Sequence, residues 1–151
     1  VKVETTGVRL DNWIVQFVDK VDAAIDETMA DVAREGQEVL QNAIEVSGLG
    51  TVWSKARYKR GIRRTGSKNG RIWTGDMLAD IEGVNYRQRP WMAVAEMGWV
   101  KTFKDYYGLQ NEGFDHPDTG DHIAGMFIFD DTSDYIFHYA QEKLKERLRA
   151  I

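Results

Sequence analysis

"DNWIVQFVDKVDAAIDETMADVAREGQEVLQNAIEV", Asp11 to Val46, is the stretch on which the fold turns. Its apolar residues fall at Trp13, Ile14, Phe17, Val18, Val21, Ile25, Met29, Val32, Val39, Leu40, Ala43 and Ile44. Steps of three and four recur throughout, which draws one stripe along a helix. Acidic side chains and good helix formers fill the other positions. A continuous helix from Asp19 to Glu45 is about 40 Å long, more than a domain of this size covers by itself. Such a helix implies a neighbour. Gly36, in its middle, costs about 1 kcal/mol relative to alanine, so it marks close packing or a bend. Upstream, "VKVETTGVRL" reads as a short edge strand or arm over residues 1–10, with Asp11 and Asn12 placed to cap the helix.

"SGLG" at 47–50 stops the helix, and "KARYKRGIRRTGSKNGR" follows, Lys55 to Arg71. Eight of its residues are Lys or Arg and none is acidic, whereas the remaining positions hold 12 basic against 24 acidic side chains. The whole chain has a net charge of -4. Cationic charge is therefore concentrated in one segment of an acidic body. The stretch from 47 to 73 exceeds the length that connections in compact domains usually reach, and such loops are usually functional or disordered.

Beyond it, "TGDMLADIEGVNYR" predicts a turn, a short helical piece and a strand from about Ile81 to Arg87. In "WMAVAEMGWV" Trp91, Ala93, Ala95, Met97 and Trp99 alternate with Met92 and Val94. Both faces are partly apolar, so this strand is expected to be covered on both sides, by its own helices or by another subunit. "FKDYYGLQNEGF" reads as a two-turn helix, "DHPDTGDHIAG" as a turn-rich loop and "MFIFDD" as a short strand or extended piece. Thr132 or Ser133 is then expected to cap a last helix with Ile136, Phe137, Ala140, Leu144, Leu148 and Ile151 on one stripe. The order predicts a single α+β domain over 1–151, with a long N-terminal and a C-terminal helix packed on a small antiparallel sheet.

With 151 residues, 42% hydrophobic and 29% charged, the composition is that of a soluble globular domain with no bilayer-spanning run and no visible secretory h-region. The absence of cysteine excludes disulfides, thiolate metal sites and cysteine nucleophiles, and suits a reducing cytoplasm. Five tryptophans are many for this length. Core packing is the plainer use of such rings, and contacts between chains are the other. Trp73, Trp91, Trp99 and Tyr107 are the candidate interface aromatics.

Catalytic signatures are missing. Asp115, His116, Asp118, Asp121 and His122 offer metal-ligating types, but their spacing matches neither a calcium loop nor a zinc motif, and a solvated turn explains them. "GLG" at 48–50 leads into the basic loop instead of a helix, and "TGSKNG" lacks the G-K-[ST] of a phosphate loop. Asp130 and Asp131 read as caps and His138 as a packed or surface histidine. No convergent set of groups points to an enzyme, a cofactor or a metal. The basic segment, interleaved with Trp53, Tyr58 and Trp73, suits phosphate contact with base stacking, or docking on an acidic protein surface.

A helix rich in "AAIDETMADVAREGQEVLQNAI", then "TGDMLADI", a strand pair, "YYGLQNEGF", "GMFIFDD" and a closing amphipathic helix resembles the small tail-component family encoded among the neck genes of long-tailed bacteriophages. Its members are tail-completion, head-tail joining or minor tail proteins. The family's T-G-x-L-x-x-S-I turn reads "TGDMLADI" here, and its Y-A-x-x-x-E-x-G segment reads "YYGLQNEGF", with Tyr107 and Glu112 at the matching separation. Gly108 stands for the usual alanine, the glycine follows Glu112 directly, and Asp80 stands where serine is common. The 47–73 stretch is longer than the family's short link and reads as an insertion. The resemblance covers the chain from about residue 10. It implies a non-enzymatic virion protein without a cofactor, assembled in the host cytoplasm into a homo-oligomeric ring of six copies. Its expected partners are the head connector or stopper and the tail tube or tail terminator, with viral DNA in the lumen and no membrane. On that reading Lys55, Arg57, Lys59, Arg60, Arg63, Arg64, Lys68 and Arg71 contact DNA or a partner protein. The alternative function is a free nucleic-acid-binding module that uses the same eight cations.

Overall fold

The computed structural model describes residues 7–47, 76–90, 92–115, 117, 120 and 122–151. Helix α1 (Gly7–Ser47) is 41 residues long, about 60 Å. It begins at Gly7, so residues 7–10 are helical and Asp11 lies inside the helix instead of capping it. Asp and Asn in a helix interior each cost well under 1 kcal/mol relative to alanine, less than stopping an otherwise helical run. Residues 1–6, the rest of the expected arm, lie outside the described residues.

Then come α2 (Asp76–Ala79), β1 (Glu82–Arg89), β2 (Met92–Gly98), α3 (Asp105–Glu112), β3 (Gly113–Asp115), β4 (His122–Ala124) and α4 (Ile128–Arg149). This is the α+β arrangement expected, a long N-terminal helix, a closing helix and a small antiparallel sheet, with both the sheet and the closing helix packed on α1. β1 and β2 pair antiparallel from Glu82↔Gly98 to Arg87↔Ala93, and the register shifts between Arg87 and Arg89. β3 and β4 form a second antiparallel pair within what the turn-rich composition of "DHPDTGDHIAG" marks as loop.

α1 is the common support. At its middle the β1–β2 sheet lies close enough that a Cβ on Gly83 would meet the Ala33 carbonyl oxygen at 1.8 Å, and one on Gly36 would meet Met97 Sδ at 2.1 Å. Gly83 and Met97 are register partners, so one rung of the sheet sits over one turn of the helix. Gly36 therefore marks close approach. The far end of the hairpin is held by Arg87, whose Nε lies 2.9 Å from Asp26 Oδ1 and whose Nη2 donates to the Asp22 carbonyl at 3.1 Å. α4 crosses α1: Tyr135 donates to Glu35 at 2.7 Å, and twelve residues on, Arg147 reaches Asp31 at 2.6 Å.

The core lies toward the C-terminal end of α1. Leu40, Ile44, Met77, Ile81, Tyr107, Met126 and Ile128 are buried together, with Trp99 and Phe129 packed at their edge. Three expectations about the start of α4 change here. "MFIFDD" is not a strand, because Ile128 already opens α4. Neither Thr132 nor Ser133 caps that helix. Phe127 occupies the N-cap position in a left-handed conformation, φ 51°, and the Ile128 N–H donates to Asn111 Oδ1 at 3.0 Å. The cap comes from α3, and buried Thr132 instead bonds back to the Ile128 carbonyl one turn earlier. Asp130 and Asp131 are accordingly helical residues of α4. β2 is covered on one side within the protomer: Met97 packs on α1, while Met92 and Glu96, on the opposite face, are exposed.

Candidate assembly surface

The first third of α1 extends beyond everything else described. Arg87 ends its reach at Asp22, and the last turns of α4 meet α1 at Glu27, Thr28 and Asp31 through Arg147. Residues 12–20 are exposed at every position. Yet the apolar stripe does not stop there. The buried positions Ala24, Thr28 and Val32 continue at helical spacing through Val21 to Phe17, Val18, Trp13 and Ile14. Trp13 is 60% exposed, and its ring stacks on Phe17 at 5.5 Å between centroids. The stripe that forms the core seam in one half of the helix is therefore bare in the other.

α4 carries a second uncovered stripe. The expected single face splits: Ile136, Ala140 and Leu144 are half-buried toward α1, whereas Phe137 is 66% exposed and Leu148 and Ile151 also lie open. Phe137 and Leu148 are thus surface and not core residues. The spacing itself carried that signal, because 137, 144 and 151 recur at seven with 148 between them, a narrow seam displaced from the inward face.

Of the aromatic residues expected at an interface, two turn inward. Tyr107 is fully buried, and its hydroxyl donates to Asp80. Burial together with that carboxylate pushes the phenol well above its ordinary pKa. Trp99 donates its indole N–H to the Met77 carbonyl at 2.9 Å and meets Phe129 edge-on at 5.5 Å. Both close the protomer's own core, because a ring with an internal hydrogen-bond partner has no polar group left to offer a neighbour. Trp73 and Trp91 lie outside the described residues, as do Lys55, Arg57, Lys59, Arg60, Arg63, Arg64, Lys68 and Arg71. Around the expected solvated turn, His122 Nδ1 lies 2.8 Å from Asp115 Oδ1, both residues exposed. His116, Asp118 and Asp121 are not among the described residues.

Electrostatically, α1 is anionic, with nine acidic side chains against Arg9, Lys20 and Arg34. The charge is partly neutralised where α4 crosses it. Partial burial raises the pKa of Asp31, but Arg147 and Arg34 overcome this and hold its carboxyl below the ordinary carboxylate value. No helix among the described residues is long and apolar enough to cross a membrane. No family model, curated protein or solved structure matches the chain.

Proposed function

We propose that this chain is a structural component of the neck or tail of a long-tailed bacteriophage virion, closing with sister copies into a ring of six that completes the tail or joins it to the head connector. The bare end of α1 carries the reading: a helix whose apolar stripe runs on past its own fold is suited to be covered by another protein. The order of elements adds support, since a long helix, a short turn helix at "TGDMLADI", a strand pair, the "YYGLQNEGF" helix and a closing helix follow the sequence resemblance. In such a ring the eight cations from Lys55 to Arg71 are gathered at one level. There they meet DNA in the lumen or an acidic surface of the connector, stopper, tube or terminator.

The competing reading, a free nucleic-acid-binding module, rests on the same eight cations and has the anionic α1 against it. One set of variants tests both. Replacing Lys55, Arg57, Arg60 and Arg64 together by Glu in the producing phage is expected to leave heads and tails unjoined while the purified protein melts unchanged. Normal infectious particles would sink the proposal. Micromolar DNA binding by a monomeric wild-type protein in physiological salt would favour the module.

A further inference from the structure

We infer that α1 has two starts: the long form of the structure, from Gly7, and a short form from Asp19 that the free protomer adopts until its first turns are covered. Three observations meet at the second start. Burial along the helix begins at Val21 and Ala24, while residues 12–20 are exposed at every position. The Arg87 clasp begins at the same place, with Nε 2.9 Å from Asp26 Oδ1 and Nη2 donating to the Asp22 carbonyl at 3.1 Å. Charge agrees. Asp19 is of the type that caps helix N-termini, and Asp22 then stands in the first turn, where the positive end of the helix dipole favours an acid. Counted from Gly7, the first turn holds Arg9 and no acid, the reverse of that preference.

Propensity decides between the two forms. One Asp or Asn inside a helix is tolerable, but the bare stretch strings together Val8, Asp11, Asn12, Ile14, Val15 and Val18, all among the poorer helix formers. Good formers propagate a helix by a factor of only about 1 to 1.6 per residue, and these fall below that. With no burial to offset the difference, each further turn toward Gly7 is unfavourable. The Trp13–Phe17 stack, 5.5 Å between centroids, is an i,i+4 pair and contributes little against such a run. Beyond Val21 the balance reverses, because Ala24, Thr28 and Val32 are buried. Trp13 and Phe17 share a face only while the first turns are wound. On the assembly reading above, from which this step takes what later covers the stripe, the protomer therefore presents its aromatic stripe on assembly and not before. Winding and covering are then one event.

Amide hydrogen exchange of the purified full-length chain in dilute solution tests the two starts. Amides of residues 12–18 are expected to exchange within about tenfold of an unstructured peptide, and those from Thr28 to Ile44 at least about a thousandfold more slowly. Asp19→Ala then separates the forms by sign. If α1 starts at Asp19, the change removes the cap and lowers protection of the Val21, Asp22 and Ala23 amides about fivefold. In a helix continuous from Gly7, alanine is the better helix former, and protection of the same amides stays or rises. Asp19→Asn keeps a capping side chain and is expected to exchange as wild type does. Asp19 is exposed, so neither variant disturbs the core. Slow exchange across residues 12–18, an Asp19→Ala chain as protected as wild type, or an Asp19→Asn chain that loses protection as the alanine one does would each overturn the short form. The neck reading fails separately, if purified particles lack the protein, and the exchange boundary does not depend on it.

Discussion

Gly83 in β1 lies directly against the backbone of Ala33 in α1, so that any Cβ at position 83 would fall 1.8 Å from the Ala33 carbonyl oxygen and 2.5 Å from its carbon. Backbone cannot step aside as a side chain can. Gly83→Ala must therefore lift the sheet from the helix, and the Gly83 N–H bond to Gln37 Oε1 at 3.0 Å is strained with it. The expected cost is about 3 kcal/mol, the upper end for overpacking a tight contact. Gly36→Ala faces only the thioether of Met97 and gains helix propensity, so it is expected to cost less. Urea denaturation of the two variants checks the ranking, and equal losses would contradict it.

Tyr107 makes the core alkali-sensitive. Its folded pKa lies above the ordinary 10.0 because the phenol is buried and donates to Asp80. Above pH 10 the unfolded chain releases this proton while the native one keeps it, so stability present below pH 10 is lost as pH rises further. One proton of difference is worth about 1.4 kcal/mol per pH unit. Tyr107→Phe is expected to lower stability at pH 7 by about 1 to 3 kcal/mol, the range for losing a hydrogen bond to a charged group. The same change flattens the decline above pH 10. Chemical denaturation at pH 7 to 11 measures both, and a parallel decline in the variant would contradict the assignment.

The features legible in the sequence were those carried by periodicity. α1, the strand pair, the two-turn α3 and the closing helix all follow from spacing and punctuation, and Gly36 announced either close packing or a bend. Features that depend on a partner distant in sequence were not legible. Nothing local distinguishes Tyr107, which bonds Asp80, from Trp13, which stacks in solvent, although both are aromatic residues on amphipathic helices. A cap supplied by Asn111 across seventeen residues leaves no mark beside the helix it caps. The exposure of Phe137 required knowing which of two adjacent stripes on α4 meets α1. Of the candidate surface, the bare stripe of α1 was visible as a pattern, and its bareness was visible only as excess helix length.

Asn111 provides the start of α4. Its side-chain oxygen accepts from the Ile128 N–H, and its own carbonyl accepts from the Phe127 N–H at 2.9 Å, so the loop and the first turn are held from α3. Asn111→Ala is expected to cost about 1 to 2 kcal/mol, as for removal of a helix N-cap. Asn111→Asp keeps an acceptor at the positive end of the helix and should be tolerated. Thermal melts of both variants decide this, and an alanine variant as stable as wild type would refute the cap.

Arg147 and Asp31 couple the two long helices, at 2.6 Å, with both side chains largely shielded from solvent. Burial works against the Asp31 carboxylate, and Arg147 followed by Arg34 more than reverses it, so the folded pKa is lower than the unfolded one. The sign follows: this group contributes stability above the ordinary value of 3.8, and that contribution is lost as pH falls through the lower folded value. Arg147→Met keeps the apolar stem but leaves Asp31 with Arg34 alone, and is expected to cost about 2 kcal/mol at pH 7, in the range of a charged hydrogen bond. The penalty should shrink toward pH 3, because the wild type is then losing the same pair. Paired urea titrations at pH 7 and pH 3 measure the difference. A pH-independent penalty would mean that Arg147 acts through packing instead of charge.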